Sequence, residues 1–258
     1  MSVTIHPTAI VHPSAEIGAG TEIGPYCVIG SSVQLGEGNR LAAHVMIDGP
    51  AVIGDNNTFF PYACIGQRTQ DLKYTGEPTG LEIGHGNDFR EFVTVHRATN
   101  PGDRTIIGNH GYFLAYVHIA HDCHVGDHVI FSNNGTLGGH VIVEDHAILG
   151  GLSAVHQFCR IGRFSITGGC TKVVQDVPPF IIADGNPAVP RGINKVGMER
   201  HGFSAAEIKA LRETYKTMYM RDLLLEGALN ELENNGSESE HVRHFTRFVR
   251  ASQRGIIR

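Results

Sequence analysis

An apolar residue recurs at every sixth position from Ile5 to Val173, and the phase survives two interruptions. The series runs from Ile5, Val11 and Ile17 to Ile65, resumes at Ile83, Phe89 and Val95, and continues from Ile107 to Val173. Of its 26 positions, 21 hold Ile, Leu or Val, four hold Phe and one is Thr167. Neither an α-helix (3.6) nor a β-strand (2) has that period. A six-residue block matches one short side of a coil in a parallel β-helix, where each side turns a corner and the apolar openings stack into a core column. The fifth place of each block supports this, being small or β-branched at Val117, Cys123, Val129, Gly135, Val141, Ala147, Ser153 and Cys159.

Three blocks per coil place residues eighteen apart directly above one another, about 4.8 Å apart. His121 then stacks on Gly139 and Gln157, Asp122 on His140 and Phe158, and Gly138 on His156. A wall needs no histidine, carboxylate or glutamine at these places. Their gathering within two coil steps, about 10 Å, predicts a site.

The 258 residues can bury a large core and leave room for one small additional domain. The 32 glycines are expected to turn the corners. A formal net charge of −5 excludes a general nucleic-acid binder. From Pro187 onward, however, 12 basic residues face 9 acidic ones, so that part is mildly basic. The five cysteines form no CxxC pair and read as reduced core residues of a cytosolic protein. The start MSVTIHPTAI lacks the basic and apolar regions of a signal peptide, and no stretch is long enough to span a membrane. His6, His12, His44, His85, His110, His124, His128 and His146 read as solvated turn or surface residues.

Two segments depart from the period. Residues 66–81, GQRTQDLKYTGEPTGL, and the shorter 98–105, ATNPGDRT, read as loops leaving the prism, with the coil continuing beneath them. Long loops on a repeat scaffold usually serve a site. The repeat ends near Asp176-Val177-Pro178-Pro179, and beyond Gly185–Gly192 the pattern becomes helical. Ser204 to Glu207 forms a capping box ahead of an apolar face of Ile208, Leu211 and Tyr215. A second helix fits Leu223–Leu232, ended by Asn234-Asn235-Gly236, and a third fits Glu238–Ala251. The chain thus divides into a β-helix over residues 1–190 and a helical domain over 191–258. That domain caps one end of the prism, since neither end of a solenoid can be left raw.

The chain also carries IAHDC at Ile119–Cys123, GGHV at Gly138–Val141, AVHQFC at Ala154–Cys159 and QDLKY at Gln70–Tyr74. TVHR at Thr94–Arg97, QDVPPF at Gln175–Phe180 and GNPA at Gly185–Ala188 complete the set. Together, over nearly the whole chain, they resemble the UDP-N-acetylglucosamine O-acyltransferases that begin lipid A synthesis, members of the hexapeptide-repeat acyltransferases. The resemblance implies a left-handed β-helix. It implies a homotrimer with sites between neighbouring prisms, and transfer of an (R)-3-hydroxyacyl group from acyl carrier protein to the sugar 3-position. No metal or other cofactor takes part; the donor rides on the carrier's phosphopantetheine.

By the same resemblance His121 is the general base, Asp122 its acidic partner and the Gly139 N–H the oxyanion donor. Asp71 and Lys73 hold the sugar and the neighbourhood of the acyl chain. His118, His140, His156 and Gln157 line the sugar–nucleotide pocket, with His96 further along the cleft. Asn194 and Arg200 meet the nucleotide, and Gly169 is the acyl-chain ruler, its bareness admitting a long chain. A histidine suits the base because a neutral hydroxyl is a poor nucleophile and imidazole exchanges protons near neutral pH.

The chain departs from the family at Val196, where many members carry an acidic residue, and at His201, where many carry Arg. Those changes bear on the nucleotide contacts and leave open a 3-amino sugar as acceptor. Two rival readings share the fold. One is a zinc enzyme of the carbonic-anhydrase type, using His118, His121 and a neighbour's histidine around a metal-bound water. The other is a binding solenoid without catalysis, which would need neither the His121/Gly139 pair nor the QDLKY loop.

Overall fold

The computed structural model describes residues 2–234 and 239–258. It is a left-handed parallel β-helix followed by helices. Two- to four-residue strands make three flat walls, beginning with Thr4–Ile5, Ile10–Val11 and Glu16–Ile17 and called here the first, second and third sheets. The register is that of the period: Ile5 pairs with Ile23, His118 with Thr136, and Ile142 with Arg160. Each opening residue lies in a strand and, except at Ile65 and Val95, ends it; from Ile23 onward every one is buried. Inside the prism Phe59, Phe89 and Phe113 stack face to face at 5.1 and 4.9 Å. Beside them Asn39, Asn57 and Asn87, all fully buried, form a ladder in which each Oδ1 accepts the backbone N–H one coil on.

Glycine does not turn most of the corners. Eighteen non-glycine residues adopt positive φ, among them Tyr26, His44, Tyr62, Phe92, Tyr116, Asp122 and His140. The left-handed region costs a side chain roughly 1–2 kcal/mol, and stacking between equivalent corners offsets it. The rings of Tyr26, His44, Tyr62, Phe92 and Tyr116 lie 4.8–5.0 Å apart along one edge. His110, His128, His146 and Phe164 form a second stack along another. His44, His110 and His128 are exposed at their turns, as expected, and His146 is half-buried; all four also serve as rungs of the ring ladders.

Both interruptions keep the phase because the residues they add to their coils come to whole blocks. Ile65 pairs with Val95, thirty residues on, and Ile83 with Ile107, twenty-four on. Relative to eighteen, the first coil has gained twelve residues and the second six. Both loops leave the corner between the second and third sheets.

The last coil is two residues short, since Ile166 pairs with Ile182. Ile181–Asp184 then turns back on Val189–Ile193 as an antiparallel pair, and four helices follow: α1 (Lys195–Arg200), α2 (Ala205–Tyr219), α3 (Leu225–Asn234) and α4 (Glu240–Arg250). The Ser204/Glu207 capping box is present at α2. Helix α1 escaped the sequence reading because its single turn has no apolar period. The expected stop at Asn235-Gly236 and start at Glu238 lie outside the described residues. Buried charge pins α4 to the prism: His244 Nε2 lies 2.8 Å from Glu144 Oε2, and Arg160 covers the Phe248 ring at 4.2 Å. Among the described residues no helix covers the opposite end, where Ile5 and Ile10 are 46% and 66% exposed.

Candidate active site

The corner between the second and third sheets carries most of the predicted residues. Both loops start there, followed at one-coil intervals by His121-Asp122, Gly139-His140 and Gln157-Phe158. The stacking inferred from the spacing is realised in the backbone, where the His140 N–H donates to the His121 carbonyl at 3.1 Å and the Phe158 N–H to the Gly139 carbonyl at 3.1 Å. Asp122, at φ 60°, needs the left-handed corner to turn its carboxylate back toward its own neighbour.

His121 Nδ1 sits 2.7 Å from Asp122 Oδ2, with the two side chains only 13% and 7% exposed. The Asp122 carboxylate also accepts the Thr99 backbone N–H at 3.1 and 3.2 Å, and the Asp122 N–H donates to Thr105 Oγ1 at 2.9 Å. The far side of the imidazole faces Gly139. A Cβ at residue 139 would stand 2.4 Å from His121 Cε1 and 2.6 Å from Nε2, so only glycine leaves the ring its place. Gly138 and His140 spend their N–H groups on the ladder, while the Gly139 N–H has no partner among the described residues.

Electrostatics separates the roles. Burial pushes the Asp122 carboxyl up, but hydrogen bonds from His121 and Thr99 and the charge of His140 outweigh it and hold the group below the usual carboxylate range. Burial, then the neighbouring His118 and His121, depress His96 to about 4. Burial and His121 lower His118 as well. An ionised Asp122 thus stands beside His121, while His96 and His118 stay neutral. His118 Nδ1 is engaged with Thr94 Oγ1 at 2.8 Å.

Further along the corner, His140 Nε2 is 3.7 Å from Asp122 Oδ2, and its ring stacks on Phe158 at 4.6 Å. His121, Asp122 and His140 present ligand atoms within 4.8 Å of one another, a set able to take a divalent cation. His156 and Gln157 are exposed. Asp71 and Lys73 lie in the long loop, the Lys73 N–H closing a turn onto Asp71 Oδ1 at 2.9 Å.

The remaining predicted residues sit elsewhere on the chain. Gly169 lies on the corner between the first and second sheets, where an added Cβ would meet only the Gly151 carbonyl at 3.6 Å. Asn194 is 3% exposed and caps α1, accepting from the Gly197 N–H and donating to the Phe164 carbonyl. Arg200 is exposed at the end of α1, with no ion-pair partner among the described residues. His201 packs edge-on against His146 at 4.8 Å and Phe164 at 5.1 Å, and Val196 is 57% exposed. Sequence reasoning missed Thr69, Thr99 and Thr105. The first two stand in the aperiodic loops, where no stacking rule assigns a neighbour.

Comparison with known proteins follows the same outline. Residues 176–257 match the family described as Udp N-acetylglucosamine O-acyltransferase, domain 2. The acyl-[acyl-carrier-protein]–UDP-N-acetylglucosamine O-acyltransferase of Thermodesulfovibrio yellowstonii is 48% identical over 255 residues, 98% of this chain and 99% of the relative. The protein of that name from Halorhodospira halophila is 46% identical with the same coverage. Among solved structures, the UDP-N-acetylglucosamine O-acyltransferase of Moraxella catarrhalis superposes with a TM-score of 0.95 at 43% identity, covering all of both chains.

Proposed function

The chain belongs to the acyl-[acyl-carrier-protein]–UDP-N-acetylglucosamine O-acyltransferases, and we propose that it transfers an (R)-3-hydroxyacyl group from acyl carrier protein to the sugar 3-hydroxyl through His121, Asp122 and Gly139. This is the first step of lipid A biosynthesis. His121 Nε2 takes the hydroxyl proton as the oxygen attacks the thioester carbonyl. Asp122, ionised and 2.7 Å from Nδ1, stabilises the imidazolium that forms. The Gly139 N–H donates a hydrogen bond to the developing oxyanion, an interaction worth roughly 10²–10³-fold in rate. The tetrahedral intermediate collapses by expelling the phosphopantetheine thiolate, which recovers the proton from His121. The observation that carries this reading is the close approach of Gly139 to the His121 ring, with the Gly139 N–H left without a partner among the described residues.

The acceptor is held by Asp71 and Lys73 of the loop, with His96, His118, His140, His156 and Gln157 lining its pocket. Arg200, without an ion-pair partner among the described residues, is the cation for the diphosphate, and Asn194 serves by holding α1 in shape. His201, committed to the ring stack, replaces no arginine. Gly169 sits across the second sheet from His121, so one chain offers the base and the ruler on opposite edges. A trimer that sets one prism's edge against its neighbour's would join them in a single cleft. The exposed ring ladder along the Gly169 edge, with Tyr26, Tyr62 and Tyr116 about half exposed, is apolar surface fit to be covered there. No described helix is long and apolar enough to cross a membrane.

The test is acyl transfer by purified protein from a 3-hydroxymyristoyl carrier to UDP-N-acetylglucosamine and to its 3-amino analogue, with His121→Ala alongside. Product from either sugar, abolished by the substitution, is expected, and the preferred sugar gives Val196 its meaning. An absence of product across several acyl lengths would overturn the assignment.

A further inference from the structure

The two loops do more than frame the site, for each contributes a buried threonine to one chain of hydroxyls that ends at His121. Thr99, from residues 98–105, is 7% exposed and places its hydroxyl 3.0 Å from His121 Nδ1. Its backbone N–H donates to both oxygens of Asp122. Thr69, from residues 66–81, is 5% exposed and lies 2.8 Å from Thr99, hydroxyl to hydroxyl. Thr69 Oγ1 in turn accepts the Asp71 N–H at 3.1 Å. A continuous chain of hydrogen bonds therefore runs from the sugar-binding loop to the base: Asp71 N–H, Thr69 Oγ1, Thr99 Oγ1, His121 Nδ1.

The proton positions along this chain follow from Asp122. An ionised carboxylate accepts only, so the Nδ1 of His121 carries the hydrogen. That hydrogen forks between Asp122 Oδ2 at 2.7 Å and Thr99 Oγ1 at 3.0 Å. Thr99 accepts there and passes its own proton outward to Thr69. Nε2 is left with its lone pair facing Gly139, the arrangement a general base requires.

We infer that Thr99 is a positioning residue of the acyl transfer: with its hydroxyl it fixes the tilt of His121, with its amide it holds the Asp122 carboxylate in place, and through Thr69 it ties both to the sugar-binding loop. The inference rests on His121 being the base. It gives the loops a role that sugar contact alone does not, since their two threonines meet behind the imidazole, away from any acceptor in front of Nε2. Buried networks of this kind act as units, so single deletions within them are not additive.

The experiment compares Thr99→Val, Thr99→Ser and Thr69→Val in the acyl-transfer assay. Valine keeps the shape and the backbone donor while removing the hydroxyl. Loss of ring alignment is expected to lower kcat by about 10- to 100-fold, with the KM for the UDP-sugar and for the carrier within about threefold of the wild type. Thr99→Ser restores most of the rate, and Thr69→Val lowers kcat less than Thr99→Val does. In an Asp122→Asn background, where the Nδ1 proton has lost its main acceptor, the step from Thr99 to Val costs much less than in the wild type. A Thr99→Val enzyme with wild-type kcat would overturn the inference. So would a serine variant as impaired as the valine, or a loss confined to KM. His121→Ala separates the two readings. If it is inactive while Thr99→Val is unaffected, only the relay falls; if it retains full activity, the assignment of the base falls with it.

Discussion

Gly139 and His121 stand one coil apart, and the space a Cβ would fill at residue 139 lies 2.6 Å from the imidazole Nε2. The glycine serves two ends at once, leaving the ring its place and keeping an N–H that has no partner among the described residues. Gly139→Ala is therefore expected to fold with a near wild-type Tm and to lose at least about 10²-fold in kcat, because the methyl displaces the ring from its acceptor. A rate within threefold of wild type would remove Gly139 from the chemistry.

Acidification should destabilise the protein through His96. Its folded pKa is depressed to about 4, against an ordinary value of about 6.5. Between those values the unfolded chain binds the proton and the folded chain refuses it, so the contribution is complete above about 6.5 and lost progressively toward about 4. Asp122, also depressed, contributes above its ordinary value of about 3.9 and loses that contribution as the pH falls through its lower folded value. Tm is expected to drop from pH 7 to pH 5, and less so in His96→Gln. Parallel curves for the two proteins would assign the drop elsewhere.

The asparagine ladder is a stability element remote from the site. Asn57 donates to the carbonyls of Gly54 and Gly84 and accepts from both the backbone and the side chain of Asn87, all in the interior. Asn57→Ala leaves several of these groups unpaired at about 1–3 kcal/mol each. Thermal unfolding should register a fall of many degrees, with kcat per folded protein unchanged.

Gly169 has room beside it, its nearest obstacle being the Gly151 carbonyl at 3.6 Å. Gly169→Leu should fold and shift donor preference toward shorter acyl chains, read as kcat/KM across a series of acyl carriers. An unchanged preference would place the ruler at another residue.

Acyl transfer as proposed needs no ion, although His121, Asp122 and His140 could bind one. Treatment with a chelator should leave the rate intact, and metal analysis of active protein should find no stoichiometric zinc. Activity lost on chelation and restored by zinc would favour chemistry at a metal-bound water.

The prism was legible because its period is arithmetic: eighteen residues per coil converts directly into a neighbour, and His121, Gly139 and Gln157 fall into one column. The corners were misjudged because a left-handed φ was assigned to glycine alone. Tyr26, His44 and Phe158 adopt it because each ring rests on the corner one coil away. The threonines behind His121 were invisible for a different reason. Thr69 and Thr99 belong to segments with no period, and their meeting depends on how two loops fold over a shared edge. Asn194 is named as a nucleotide residue by the family resemblance alone, and its cap on α1 was not read from the sequence: its amide donates to the Phe164 carbonyl and accepts the Gly197 N–H.

The loop lengths carry a lesson about heredity. Twelve added residues in one coil and six in the next restore every later block to its proper wall. An insertion of five at the same place would rotate each downstream side chain by one position, turning the core column outward and scattering His121, Gly139 and Gln157 over different faces. Variation at this edge is thus quantised: substrate loops can lengthen or shorten by whole sides of the prism, and lineages carrying other lengths must absorb the remainder within the loop or lose the solenoid beyond it.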